Sequence, residues 1–373
     1  MKKVNFARIG LAAAVSTAML ITGCGASSGS SAGAASSSAT VAGTAASTSS
    51  STEANAVHGK IAVMRNMASS DNTSQFFQGI EDTGAQLGYS VDTYMSDGDD
   101  VKMQNLMTQM LNQDYDIWIV SHANEGYQFD MVSKAVDKGI KVVCFDCSGD
   151  EVDGVTYTKQ DDQGLAERSL DALIEAAEKN GATEPIKIIE VNTLGAIKPF
   201  DTRHDAITAY QDAGKIDVVN LISPNLTGGN SYSDINTGVS TTLTNNPDVQ
   251  GVWVASTAFL DGVVDALNSA NRTDIVMTGV DVSNTEIKRM AETENDVALA
   301  CVDPYRIGEV DTRLAVMKVL GKETPAEYTF DAVTLTRDEV TADDTMATLA
   351  EKSDSFGPTD DFTDDVKEYE VSQ

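Results

Sequence analysis

The chain carries one short pattern twice, at the same internal spacing, and this repetition restricts the folds open to it more than any single motif does. The first copy runs Ile117-Trp118-Ile119-Val120-Ser121 and later Val143-Cys144-Phe145-Asp146-Cys147-Ser148. The second runs Val252-Trp253-Val254-Ala255-Ser256 and later Thr278-Gly279-Val280-Asp281-Val282-Ser283. In each copy the aspartate follows the serine by 25 positions, Ser121 to Asp146 and Ser256 to Asp281. Each copy reads as a buried strand ending in a small polar residue, then a helix, then a strand ending in aspartate. Runs apolar on both faces belong to parallel sheets covered by helices. In such sheets ligands bind outside the carboxyl ends of the strands. Two related α/β lobes, each offering a serine and an aspartate, predict a clamp around a small, hydroxyl-rich ligand. The plainer alternative for each aspartate is a helix cap at the start of a βα loop.

The first residues bear on the compartment. Lys2, Lys3 and Arg8 precede an apolar stretch from Ile9 to Ile21, which ends in Ile21-Thr22-Gly23-Cys24. This reads as a secretory signal whose apolar core is too short to span a bilayer. An aliphatic residue, two small residues and a cysteine resemble the bacterial lipoprotein cleavage box. That resemblance implies removal of residues 1–23 and lipid on the Cys24 sulfur. Anchoring by more than one acyl chain is effectively stable. The expected location is extracytoplasmic, on the outer face of the bacterial cell membrane or its periplasmic side. Residues 24–57 are almost wholly Ser, Ala, Thr and Gly, which cannot bury enough apolar surface to offset ordering entropy. As a flexible coil they would reach roughly 30 Å and serve as a tether. The remainder, from about His58, is long enough for two domains.

The formal charge is −31, and removing Lys2, Lys3 and Arg8 takes it to −34. So acidic a chain has no basic surface for nucleic acid or anionic lipid heads, and its self-repulsion favours a soluble monomer. Cys144 and Cys147, if both lay on an extended strand, would stand about 10 Å apart on opposite faces, so no disulfide is expected. The three histidines lack ligand spacing, so no metal and no cofactor is expected. Asp97-Gly98-Asp99-Asp100 fails the calcium-loop spacing and reads as a turn.

Strand and helix signals alternate from Lys60 onward. Strands are predicted at 61–64, 91–95, 117–120 and 142–145, with helices between them. A second series after Asp161 predicts strands at 186–191, 218–222, 252–255, 275–280 and 297–302, again separated by helices. A long helix at 307–320 and a single strand at 328–335 follow. The acidic stretch after Asp338 is poorly patterned and is expected to wrap the surface or fray.

From Lys60 to about Leu335 the chain resembles the type I periplasmic sugar-binding proteins of bacterial import systems, nearest to the ribose- and galactose-binding group. The marks are Ile61-Ala62-Val63-Met64, Gln75-Phe76-Phe77-Gln78-Gly79-Ile80, Lys138-Gly139-Ile140-Lys141-Val142-Val143 before Asp146, Asn246-Pro247-Asp248-Val249, and Gly279-Val280-Asp281. The resemblance implies two similar doubly wound parallel-sheet lobes joined by a hinge of three crossings, near Asp161-Asp162, Asp303-Pro304 and Asp331-Ala332. Lobe 1 would hold residues 58–160 plus about 304–331, and lobe 2 residues 161–303 plus about 332–345. Residues 346–373 would form an acidic extension.

It further implies that Asp146 and Asp281 accept hydrogen bonds from sugar hydroxyls. Asn66, Ser70, Asn72 and Thr73 would contact the ligand from the first strand and the loop after it. Ser121 and Ser256 stand where the family often has asparagine, leaving room for a bridging water. Arg203 lies near the family's ligand-binding arginine, with Asp201 the alternative if the match shifts by two residues. Asp303 would be the polar residue of a hinge strand. The ribose-type family stacks aromatic rings from the first loop, where this chain has Asn72 and Thr73; Tyr232, Phe259, Tyr127, Phe200 and Trp253 are the other aromatic candidates, with Tyr232 taken as a ligand contact.

The function implied is capture of a sugar, a monosaccharide first, by an extracytoplasmic lipoprotein that delivers it to the permease of an ABC importer. A receptor module reporting a sugar or autoinducer to a membrane kinase or chemoreceptor, and a nucleoside-binding lipoprotein, are the alternatives. No nucleophile–base pair or phosphate loop marks an enzyme.

Overall fold

A computed structural model describes residues 58–226 and 230–371. The signal, the lipid-bearing Cys24 and the tether expected from the sequence lie outside the described residues. No helix among the described residues is long and apolar enough to cross a membrane.

Lobe 1 begins with β1 (Gly59–Arg65), α1 (Asp71–Gln86), β2 (Tyr89–Met95), α2 (Asp100–Met110) and β3 (Ile117–Ser121). It continues through α3 (Gln128–Asp137), β4 (Lys141–Phe145) and β5 (Thr156–Gln160). Lobe 2 follows as α4 (Asp162–Lys179), β6 (Ile186–Val191), α5 (Lys198–Asp212), β7 (Ile216–Ile222), α6 (Ser231–Asn245) and β8 (Gly251–Val254). It is completed by α7 (Leu260–Ser269), β9 (Val276–Val280), α8 (Asn284–Glu292) and β10 (Asp296–Cys301). The chain ends with α9 (Pro304–Val319), β11 (Glu327–Phe330), β12 (Val333–Thr336), α10 (Met346–Leu349) and α11 (Thr363–Val366).

The two sheets have one topology. Sheet order is β11-β5-β4-β3-β1-β2 in lobe 1 and β12-β10-β9-β8-β6-β7 in lobe 2. The repeated pattern of the sequence therefore occupies equivalent central strands, β3 and β4 in one sheet, β8 and β9 in the other. All pairings are parallel except that of β12 with β10. The apolar runs are apolar because helices cover both faces: β3 and β8 are buried throughout, Trp118 and Trp253 included.

The chain passes between the sheets after β5, after β10 and between β11 and β12, at Asp161, Asp303 and Asp331-Ala332. Two sequence expectations need correction here. The single strand expected at 328–335 is two strands, one in each sheet, because the alternation of side chains runs unbroken through the third crossing. β5 was not anticipated, since Thr156-Tyr157-Thr158-Lys159-Gln160 is polar; it is covered by the rest of its sheet and by Asp311 of α9, which accepts from the Thr158 hydroxyl at 2.8 Å.

The acidic tail does not fray. Met346, Leu349 and Phe356 are buried in the lobe 2 core, whereas Val366 is buried in that of lobe 1. Between them one face of α9 holds the tail. Arg306 donates to the carbonyls of Gly357 and Phe356, Arg313 to those of Thr359 and Asp361, and Glu309 accepts from Thr359 N–H. These carbonyls and amides would otherwise lack partners away from any sheet.

Candidate functional site

The carboxyl ends of β1, β3 and β4 meet those of β6, β8 and β9 at the cleft between the lobes. Asp146 and Asp281 each follow the last residue of their strand, and each adopts a left-handed backbone, with φ 47° and 85°. Asp tolerates this region better than most residues because its short side chain bonds locally. Each backbone N–H is donated to the neighbouring strand, Asp146 to Thr158 O and Asp281 to Ala300 O, both at 2.9 Å. The bend turns the two side chains out of the sheet. It also corrects the expectation for the cysteines. The chain is not extended past Phe145, so Cys147 folds back with its Sγ 3.5 Å from Val120 O, against the Cys144 thiol, whose pKa burial and then that contact raise. Both cysteines are free.

Asp146 is held by Gln160, whose backbone N–H and Nε2 reach its two oxygens at 3.4 and 3.3 Å, and His122 Nε2 lies 3.9 Å away. Its side chain is only 7% exposed. Burial, then Asp162, push its carboxyl up to about 7 against the opposing pull of Gln160 and Arg203. Burial, then Arg65, hold His122 well below its ordinary value, so the ring is neutral. Asp281 accepts from the Ser256 hydroxyl at 2.9 Å and lies 3.7 Å from Arg203 Nη2.

Arg203 is buried in α5, and three of its five N–H donors have partners in the protein. Its Nε and Nη2 reach Asp162 Oδ1 at 3.0 and 2.8 Å, and its Nη1 donates to Ala255 O at 2.5 Å. Asp201, the alternative at this position, accepts from Gly195 N–H at 2.7 Å in the preceding loop.

Opposite it stands Arg65, the last residue of β1, which sequence reasoning passed over in favour of Asn66. Arg65 Nη1 donates to Ser121 Oγ at 3.0 Å and Nη2 to Asn72 Oδ1 at 3.3 Å, while the guanidinium lies 4.5 Å from the Phe76 ring centre. Its Nε is buried without a partner. Burial lowers its pKa to about 10, against the raising fields of Asp146, Asp311 and Asp281. Thus two guanidiniums, one from each lobe, act on both aspartates: Arg65 through its field at Asp146 and Asp281, Arg203 through its field at Asp146 and its contact with Asp281.

The remaining residues expected at the ligand have partners within the protein. Asn66 is buried in a lobe 1 network: its amide donates to Asp100 Oδ1 at 2.9 Å and to Tyr127 OH at 3.3 Å, and its carbonyl accepts from Ser96. Ser70 caps α1, accepting from Thr73 N–H at 3.1 Å, and the Thr73 hydroxyl donates to Ala68 O. Asp303 caps α9 through Tyr305 N–H at 3.0 Å and also accepts from Gly357 N–H of the tail at 2.6 Å. Tyr232 is exposed on the lobe 2 surface, its hydroxyl donating to Asp265 of α7. Phe200 and Phe259 pack on each other in the lobe 2 core, and Trp253 and Phe76 are wholly buried. Among the described residues no group of three His, Cys, Asp or Glu could hold a metal ion.

Twin lobes of this topology, with a polar, charged cleft at their strand ends, define a two-lobed solute-binding protein. Residues 61–323 match the family described as periplasmic binding protein domain, and the chain belongs to that family. It is similar to a sugar ABC transporter protein from Yersinia enterocolitica subsp. enterocolitica, at 30% identity over 83% of this chain and 95% of that one, with a TM-score of 0.70. The fold is shared by the 5-methylthioribose transporter solute-binding protein of Thermotoga lettingae, solved with 5-methylthioribose, at 23% identity over 83% and 96% of the two chains and TM-score 0.69. It is shared also by an ABC transporter solute-binding protein of Actinobacillus succinogenes solved with D-allose, at 18% identity over 76% and 99% and TM-score 0.66.

Proposed function

We propose that this protein captures a small neutral sugar, a monosaccharide, between its lobes and presents it to the permease of an ABC importer, without turning it over. The observation that carries the reading is the pairing of two buried arginines, one per lobe, with Asp146 and Asp281. Carboxylates accept from hydroxyls, and such charge-assisted bonds are roughly twice as strong as neutral ones. Guanidiniums donate to ring and hydroxyl oxygens, and the unpartnered Nε of Arg65 gives a donor that a ligand oxygen would satisfy. A polyol is both donor and acceptor on every hydroxyl, so it suits this alternation of signs.

On this reading Arg65, Asp146, Arg203 and Asp281 touch the sugar, with Asn72, Ser121 and Ser256 beside them directly or through water. Asn66, Ser70, Thr73 and Asp303 support the cleft by holding β1, α1 and α9. The relatives solved with 5-methylthioribose and D-allose, and the sugar transporter protein of Yersinia, support the ligand class. The closed form that grips both lobes is the species a permease can distinguish from the empty one. A lipid on Cys24 would keep the protein at the membrane surface near that permease.

Thermal-shift and calorimetric titration against pentoses, hexoses, 5-methylthioribose and nucleosides tests the proposal. Micromolar binding of one sugar, worth about −8 kcal/mol, is expected. Binding of nucleosides alone, or of none of these compounds, would overturn it.

A further inference from the structure

Asp71 opens α1 in lobe 1, and its carboxylate is shared between two helices of different lobes. Oδ1 accepts from Asn72 N–H at 2.8 Å, at the start of α1 itself. Oδ2 accepts from Asn284 N–H at 2.7 Å, at the start of α8 in lobe 2. Beside this bond, Asn72 Nδ2 donates to Val282 O at 3.3 Å, a second hydrogen bond between the lobes. Asn284 is fixed in turn from behind, since its Oδ1 accepts from Met346 N–H at 2.8 Å. The same Asn72 receives Arg65 Nη2.

The arrangement brings two helix N-termini together, and each N-terminus carries a partial positive charge and unpaired N–H groups. Two such ends facing each other repel unless an anion lies between them. A carboxylate bonded to one N–H from each end meets that need. Each helix also has a side-chain cap of its own, which satisfies one N–H: Ser70 accepts from Thr73 N–H, and Ser283 from Glu286 N–H. Both oxygens of Asp71 already accept from backbone amides. Its bond to lobe 2 crosses between the lobes, so they cannot part without breaking it.

We infer that Asp71 is a latch: by joining the N-termini of α1 and α8 it stabilises the closed arrangement and thereby positions Arg65, through Asn72, for the ligand. This rests on the ligand-closure reading for its consequence in binding, but not for its test. Apparent affinity scales with the population of the binding-competent state, so a latch that favours closure raises affinity without touching the sugar.

The test is made on the full chain without any sugar. Spin labels at Val101 and Ile197, exposed residues beyond the carboxyl ends of strands in opposite lobes, are attached through a genetically encoded non-cysteine handle, leaving Cys144, Cys147 and Cys301 as they are. Pulsed electron–electron resonance then gives the distribution of interlobe distances. Asp71→Ala is expected to lower the closed-to-open ratio about tenfold, the loss of one charge-assisted hydrogen bond, with both lobes still folded. Asp71→Asn, which keeps an acceptor oxygen, is expected to recover part of it. Asn284→Pro removes the donor from the other side at a helical position that favours proline, after a Ser283 already extended at φ −150°, and is expected to match Asp71→Ala. Distance distributions unchanged in both Asp71→Ala and Asn284→Pro would overturn the latch. Because no sugar is present, a shift in distance stands even if every sugar titration fails, and sugar binding with unmoved distances removes the latch alone.

Discussion

Asp146 and Asp281 occupy the same place in two copies of one fold. Each follows the fourth strand of its lobe, each has a left-handed backbone, and each donates its N–H to the fifth strand at 2.9 Å. Their surroundings differ: Asp146 is nearly sealed beneath Gln160 and His122, whereas Asp281 is 29% exposed with a serine hydroxyl and a guanidinium beside it. Asp281→Ala should therefore weaken sugar binding by at least about 1.5 kcal/mol, the usual loss for a charged hydrogen bond, while leaving the fold intact. Calorimetry that returned an unchanged affinity would remove Asp281 from the site.

The sealed position of Asp146 gives binding a pH dependence. Burial places its carboxyl at about 7, with Arg65, Arg203, Asp162 and His122 as the charged or titratable groups around it. Sugar hydroxyls donate to the ionised form, so affinity should be full above pH 7 and fall below it, by up to about tenfold per pH unit. The Asp146→Asn variant should bind more weakly at pH 8 and show a flat profile from pH 5 to 8. A wild-type profile as flat as that of the variant would count against an ionised acceptor.

Much of this was legible in the sequence, for physical reasons that can be named. Central strands buried on both faces are written as continuous apolar runs, so β3, β4, β8 and β9 and the aspartates after them could be read directly. Arg65 could not, because successive strand residues point to opposite faces and nothing local says which of Arg65 and Asn66 turns to the cleft. A cation ending the otherwise apolar run Ile61-Ala62-Val63-Met64 was the available signal. Gln160 and Asp162 lie where the chain reads as hinge, and no spacing reveals that their side chains fold back over the cleft. The contact of Asp71 with Asn284 spans 213 positions and has no local signature at all.

Asp296, at the start of β10, is buried with neither carboxyl oxygen partnered. Burial, then Glu286, push it up to about 8. An acid whose folded pKa is raised costs stability as pH climbs from its unfolded value near 4 through its folded value, because the unfolded chain ionises first. Asp296→Asn should thus raise the melting temperature at pH 8 and flatten its decline between pH 5 and 8, by an amount worth up to about 1.4 kcal/mol for each pKa unit removed. Thermal denaturation in which both proteins lose stability equally over that interval would refute the assignment.

Cys24→Ser should release the protein from membranes into the soluble fraction with sugar affinity unaltered, since the cleft and the tether are separate parts of the chain. Fractionation that finds the variant still membrane-bound would exclude a lipid on Cys24.

The most direct measurement is a crystal structure of the sugar complex. The account predicts one sugar molecule in the cleft with hydroxyl oxygens about 2.5–3.0 Å from the carboxylates of both Asp146 and Asp281, and a ligand oxygen on Arg65. A sugar bound to one lobe alone, or seated away from these two aspartates, would contradict it.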